Sequence, residues 1–223
     1  SIYLCMEVAR VNFIKFTLAV FFVTLPLVGF GYEPTSTHAG LSQEIVDFYN
    51  TLHLPKISPE NKELIIRGSI EEDVPAVRAI NHFYDPVRNM GVNNSRTSKE
   101  WATGDIPENE FTWPKAIKYY AEGNEAKAFL FLGHIVHLVE DLSVPDHTRN
   151  DPHMGVGALG LFTGESPFEK WADQNKNRET LGGLYLNYLK NGDREKDFKN
   201  LSDHFDFLAD YSNRNFFSND SIF

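Results

Sequence analysis

Cysteine is almost absent from this sequence, and its scarcity restricts the chemistry that the chain can perform. The single cysteine, Cys5, precedes a long apolar run near the N-terminus. If processing removes that run, no thiol remains, so a disulfide framework and thiolate catalysis are both excluded. A metal site in the remaining chain must then use histidine, aspartate and glutamate, a donor set that favours zinc.

Positive charge is also in short supply. Lysine and arginine total 21 against 31 aspartates and glutamates, which gives the 223-residue chain a net charge of −10. This balance argues against a basic groove along a nucleic-acid backbone, so we expect no stable nucleic-acid partner. It still permits a phosphate-containing substrate if bound metal reverses the local field.

Alternating strand patterns and strand-joining Asn-Gly turns are missing as well, whereas helical periodicity is frequent. The sequence therefore predicts an all-α fold, a compact single domain of several helices around a metal cluster. The predicted helices cover residues 41–52, 74–86, 113–123, a long segment capped by Asn124 and ending before Pro145, 168–177 and 204–217. Residues 91–98 and 155–164 are predicted to be loops.

The first thirty residues differ from the rest. Arg10 and Lys15 come just before an uninterrupted apolar run, Phe16–Gly31, that ends in small residues. This layout is typical of a secretory signal peptide. A retained membrane anchor is less favoured because the run is short and contains Pro26. We therefore expect a secreted or periplasmic protein, with residues 1–31 as the signal and 32–223 as the functional domain. A longer native chain, truncated here at the C-terminus, is the alternative.

The long predicted helix carries a polar stripe on an otherwise apolar surface. His134, His137 and Asp141 share this stripe, and His137 and Asp141 are one turn apart. They form either a simple buried hydrogen-bonded pair or part of a metal site. Because His147 and His153 follow just beyond the helix, the metal site is the preferred interpretation. His134 is predicted to be a core histidine or a partner of a metal ligand.

One segment of this region carries a family resemblance. "HLVEDLSVPDH" (137–147) resembles the central motif of the bacterial zinc-dependent phospholipase C family, which shares its fold with fungal zinc-dependent single-strand nucleases. Three other segments resemble that family in the same order along the chain: "STHAGL" (36–41) with His38, "NHFYDP" (81–86) with His82, and "ESPFEKWAD" (165–173) with Glu169.

The resemblance implies an all-helical enzyme with up to three zinc ions. It implies that one ion is bound by His82, His137, Asp141 and an upstream aspartate. A second ion would be bound by His147, Glu169 and one further ligand. A third would be bound by His38, by the bridging Asp141, and by the amino group and carbonyl of the first mature residue, here Tyr32.

Two ligands remain open at this level. The upstream acid is expected near "SIEEDVP", where Asp73 is preferred and Glu72 is the alternative. Asp73 could instead cap the helix that Pro75 begins. The further ligand of the second zinc is either His153, which is preferred, or Glu165. Asp73 is also the candidate catalytic residue, which would steer or deprotonate the attacking water.

Hydrolysis of phosphodiester bonds is the function that the resemblance implies. A phospholipase C-like activity on phospholipids is expected first, because "HFYDP" is more similar to the phospholipase branch than to the nuclease branch. The alternatives are a secreted single-strand nuclease or 3'-nucleotidase and a catalytically silent metal-binding domain. We expect a monomer with peripheral contact to membrane surfaces. His53 and His204 are predicted to be partly exposed and structural.

Overall fold

A computed structural model describes residues 37–151 and 198–218 of the chain. These residues form seven α-helices and two short 3-10 helices, without a β-strand, as expected for a single all-α domain. None of the helices in these two ranges has both the length and the apolar character needed to cross a membrane. The α-helices are α1 (Ala39–Leu52), α2 (Pro59–Glu71), α3 (Ser98–Thr103), α4 (Trp113–Ala121), α5 (Glu125–Asp141), α6 (Pro145–Thr148) and α7 (Leu201–Asn215), and the 3-10 helices are Ala76–Asn81 and Val92–Asn94.

Helix α5 is the centre of the fold, as its nearly continuous apolar surface predicts. The side chain of Asn124 accepts a hydrogen bond from the backbone N–H of Lys127, so the predicted cap begins the helix. Most residues from Ala128 to Asp141 are buried, with α2 and α4 packed against them. Polar side chains on this helix must therefore find partners inside the protein.

Helices α2 and α5 approach each other unusually closely. Gly133 of α5 faces Gly68 of α2, and a Cβ atom built on Gly133 would lie 2.1 Å from the backbone oxygen of Ile65. A Cβ atom on Gly68 would meet the backbone oxygen of Leu130 at the same distance. Only glycine permits this crossing, which brings the C-terminal end of α2 next to the polar stripe of α5.

The predicted helix over residues 74–86 is wrong for most of its length. Only Ala76–Asn81 is helical, and it is a 3-10 helix. The chain then leaves the helical path because its backbone groups have distant partners: Tyr84 N–H donates to the carbonyl of His147, and Asp85 pairs with Met90. These hydrogen bonds replace the local ones that a longer helix would need, and the one from Tyr84 holds the segment that follows His82 against α6.

His204 of α7 corrects a second expectation, because it is 1% exposed rather than partly exposed. Burial lowers the pKa of its imidazole to about 4, although neighbouring Asp203 raises it slightly. His204 therefore stays neutral in the native protein at pH values between about 4 and 6.5, where the same imidazole in the unfolded chain, with its ordinary pKa of 6.5, is protonated. Stability from this neutral ring is present above pH 6.5 and is lost as the pH falls toward 4.

This burial leads to a pH-dependent prediction. Between pH 7 and pH 5, His204 is expected to lower the free energy of unfolding by about 2 kcal/mol. Urea unfolding of the metal-free protein at both pH values measures this loss. In a His204→Leu variant the difference between the two pH values should shrink by that amount. Equal pH dependence in the parent and the variant would contradict the assignment.

Candidate metal centre

Four imidazoles converge on the carboxylate of Asp141, at the C-terminal end of α5. Its Oδ2 atom lies 2.9 Å from His82 Nδ1, 3.3 Å from His137 Nε2 and 3.5 Å from His147 Nδ1. Its Oδ1 atom lies 3.4 Å from His38 Nε2. All five side chains are buried. Histidines as far apart in the sequence as His38 and His147 thus share one centre.

Local structure explains how each side chain reaches this centre. His137 and Asp141 are one turn apart on α5 and therefore project in the same direction. Pro145, a residue suited to the first turn of a helix, begins α6 directly after α5, so the chain turns back and His147 points at Asp141. His38 immediately precedes α1, and His82 ends the 3-10 helix Ala76–Asn81.

Asp73 lies at the outer edge of the same centre. Its Oδ1 atom is 3.6 Å from both His82 Nδ1 and His137 Nε2, and its side chain is 28% exposed. It caps no helix, because the following 3-10 helix has no side-chain cap. Two sets of donor atoms, each within 4.8 Å of one another, could hold a metal ion: His38, His137 and Asp141, and Asp73, His82 and His137.

In two of these histidines, the ring nitrogen that points away from Asp141 has a partner of its own, and this partner indicates which nitrogen carries a proton. His137 Nδ1 lies 2.7 Å from the backbone oxygen of Ser69, and His38 Nδ1 lies 2.7 Å from Glu140 Oε2. A carbonyl can only accept, so Nδ1 of His137 must donate, and the neutral ring then has a lone pair on Nε2. That lone pair faces a carboxylate oxygen, Asp141 Oδ2, which accepts no hydrogen bond of suitable geometry from the described residues. These electron-rich atoms would stabilise a cation, or a proton such as the one that His82 Nδ1, 3.3 Å from His137 Nε2, can supply.

The pKa directions show how strongly the centre attracts positive charge. Burial alone would lower the pKa of His137, but the carboxylates of Asp73 and Asp141 raise it to about 10. Burial would likewise lower the pKa of His82, which the nearby carboxylates of Asp141 and Glu72 raise instead. Burial favours a protonated Asp141, yet the facing imidazoles, with His147 first, hold its pKa well below the ordinary value. A divalent cation can replace the protons that these groups retain.

Glu72, the alternative to Asp73, is committed to other partners. Its carboxylate accepts hydrogen bonds from Arg78 Nη2 at 2.6 and 2.7 Å, from Trp101 Nε1 at 3.2 Å and from His134 Nδ1 at 2.5 Å. Burial would raise the pKa of Glu72, but the interactions with His134 first and with His82 second lower it. The geometry thus favours Asp73 as the acid that faces the metal centre.

His134 belongs to the hydrogen-bond network around Glu72 and not to the metal centre. Its ring stacks on Phe111 with a centroid separation of 3.7 Å and an interplanar angle of 2°. Burial lowers its pKa despite the nearby carboxylate of Glu72. His53 is partly exposed and tilted against Tyr49, away from these contacts.

Three residues around the ligands escaped the sequence reasoning. Glu140 contacts His38, the hydroxyl of Ser42 donates to Glu140, and the backbone carbonyl of Ser69 contacts His137. An acid at position 140 of an apolar helix was a usable signal, but a backbone carbonyl leaves none. The remaining predicted ligands lie outside the described residues: Tyr32, His153 with its alternative Glu165, and Glu169.

The buried histidine and aspartate groups therefore provide a place for a metal ion, and their geometry carries the functional argument. No family model, no curated protein sequence and no solved structure matches the chain.

Proposed function

We propose that the protein is a zinc-dependent phosphodiesterase with phospholipase C-like activity. The supporting observation is the arrangement around Asp141, where four imidazoles surround a buried carboxylate and the Nε2 atom of His137 faces an oxygen that accepts no well-directed hydrogen bond from the described residues. A donor set of nitrogen and oxygen atoms without sulfur suits zinc. The two ligand sets sharing His137 and the motif resemblance together support more than one ion.

The carboxylate of Asp141 is suited to serve two ions. Its Oδ1 atom faces His38, whereas its Oδ2 atom faces His82, His137 and His147. An acid whose two oxygens face different ligands can bridge neighbouring metal positions. In the proposed three-ion site the other donors are Asp73, Tyr32, His153 and Glu169, of which the last three lie outside the described residues.

Bound zinc would attract the phosphodiester, stabilise charge on its oxygens and lower the pKa of a water molecule. The chain itself contributes orientation and a proton acceptor. Asp73 is the partly exposed acid of the centre, so its carboxylate is placed to orient an incoming water and to accept its proton. The imidazoles of His38 and His137 stay fixed because their Nδ1 atoms are anchored by Glu140 and by the carbonyl of Ser69, which keeps these ligands oriented for a metal ion.

Phospholipid is the proposed substrate class, on the basis of the "HFYDP" segment that contains His82. A secreted or periplasmic enzyme that touches membrane surfaces peripherally would meet this substrate. The same ligand set also suits hydrolysis of single-stranded nucleic acid, and a metal site without activity would make the domain a metal-binding one. These alternatives differ in their products, so one assay separates them.

The test compares two histidine variants of the processed protein. His137→Ala is expected to lose at least one zinc ion per chain and to reduce diacylglycerol release from phosphatidylcholine by about 100-fold or more. His53→Ala is the matched control and should keep the parent's zinc content and activity. Zinc is measured by mass spectrometry after dialysis, and hydrolysis by product analysis.

Each contrary result has a definite meaning. Unchanged zinc content in His137→Ala would overturn the metal centre. Nucleotide release from single-stranded DNA without diacylglycerol release would assign the nuclease activity instead. Full zinc occupancy without hydrolysis of either substrate would leave a metal-binding domain.

A further inference from the structure

Glu140 is a buried acid that the proposed reaction does not use. Its side chain is 0% exposed and precedes Asp141 at the C-terminal end of α5. Burying a carboxylate is costly unless hydrogen-bonding partners compensate. Glu140 has two such partners: His38 Nδ1 at 2.7 Å from Oε2, and the hydroxyl of Ser42, which donates to Oε1 at 3.1 Å.

Two consecutive residues of α5 hold opposite sides of the same imidazole. Glu140 contacts His38 at Nδ1, and Asp141 lies 3.4 Å from Nε2. The ring of His38 also stacks on His137 at a centroid separation of 3.7 Å. Contacts from a single helix thus determine the position of His38, although the residue itself belongs to the segment that enters α1.

The contact at Nδ1 also determines the tautomer. If Nδ1–H donates to the carboxylate of Glu140, the lone pair of the neutral ring is on Nε2 and faces Asp141. This tautomer is the one that can bind a metal ion on the Asp141 side. Carboxylate partners of this kind orient ligand histidines and increase their basicity.

We propose that Glu140 is a positioning residue that holds His38 in its metal-binding tautomer, with Ser42 fixing the carboxylate. This inference rests on the proposed metal-dependent function. It assigns Glu140 to one part of the centre only, the ion shared by His38 and Asp141. The ligands on the other side, His82 and Asp73, have no contact with Glu140 among the described hydrogen bonds and ion pairs.

The experiment uses Glu140→Gln, which keeps the size of the side chain and an acceptor oxygen but removes its charge. We expect zinc affinity at one site to fall about 10-fold to 100-fold, while the other ions bind as in the parent. Chelator competition in equilibrium dialysis measures each affinity. Glu125→Gln, an exposed substitution on the same helix, is the control and should leave all affinities unchanged.

A second measurement reports on the ring itself. Long-range nitrogen–proton NMR of the metal-free protein distinguishes the two imidazole tautomers, and His38 should be protonated at Nδ1 in the parent. Glu140→Ala should shift His38 toward a mixture of tautomers. A residue that merely fills space would not change this signature.

Three outcomes separate the possibilities. A parent protein that binds no zinc would overturn the proposed function itself. A parent that binds zinc, with unchanged affinity and an unchanged His38 tautomer in the Glu140 variants, would overturn only the positioning role. If those variants do not fold, Ser42→Ala decides: we expect about a threefold to tenfold lower affinity at the same site, and an unchanged affinity would overturn the role.

Discussion

Replacing Glu72 with alanine is expected to lower the free energy of unfolding by about 3–5 kcal/mol. The carboxylate of Glu72 is fully buried and accepts two hydrogen bonds from Arg78, whose side chain is only 12% exposed. His134 and Trp101 also donate to it. Its removal leaves a nearly buried guanidinium without its counter-charge and two ring N–H groups without an acceptor.

Asp73, the next residue, is the matched control for this experiment. Asp73→Ala should change the unfolding free energy by about 1 kcal/mol or less, because the side chain is partly exposed and caps no helix. It should instead weaken zinc binding and hydrolysis. Urea unfolding of metal-free protein and zinc analysis of both variants test the two assignments. If Glu72→Ala is stable but depleted of zinc, Glu72 rather than Asp73 is the metal ligand.

The second large effect is expected at the crossing of α2 and α5. In an exposed helix, replacing glycine with alanine stabilises by up to about 1 kcal/mol. At Gly133 the new Cβ atom would lie 2.1 Å from the backbone oxygen of Ile65, so the helices must separate. Gly133→Ala is therefore expected to lower the unfolding free energy by about 2–4 kcal/mol.

The same displacement should reach the metal centre. The hydrogen bond between His137 Nδ1 and the carbonyl of Ser69 spans this crossing, one residue after Gly68. Zinc affinity is therefore expected to fall together with stability. Gly68→Ala should act similarly, and the double variant should cost less than the sum of the single ones, because both clashes are relieved by one helix shift. Strict additivity, or a stabilised Gly133→Ala, would contradict this explanation.

Sequence periodicity was sufficient for the central helix and its metal-facing pair. A long apolar segment predicts a buried α5, and a spacing of four predicts that His137 and Asp141 lie on one side of it. The positions of His38 and His82 beside them were implied by the family resemblance alone. Long-range contacts of this kind depend on how helices pack, which spacing along the chain does not specify.

Helix α2 was not predicted, and its packing explains why. Its buried residues are Ile65, Gly68 and Ser69, so it contacts α5 mainly through small side chains and backbone rather than a wide apolar stripe. The choice between Glu72 and Asp73 was equally inaccessible. Consecutive residues point in different directions after a helix end, and only the positions of Arg78 and His134 show that the carboxylate of Glu72 is occupied by other partners.

The carbonyl that orients His137 belongs to the main chain of Ser69, and this has an evolutionary consequence. Side-chain changes at that position leave the acceptor in place, but Ser69 is fully buried beside the helix crossing, so only a small residue fits there. Selection would act on the neighbouring glycine pair, which sets how far apart the two backbones run. The geometry of the candidate metal centre is thus set in part by a main-chain carbonyl and by two glycines.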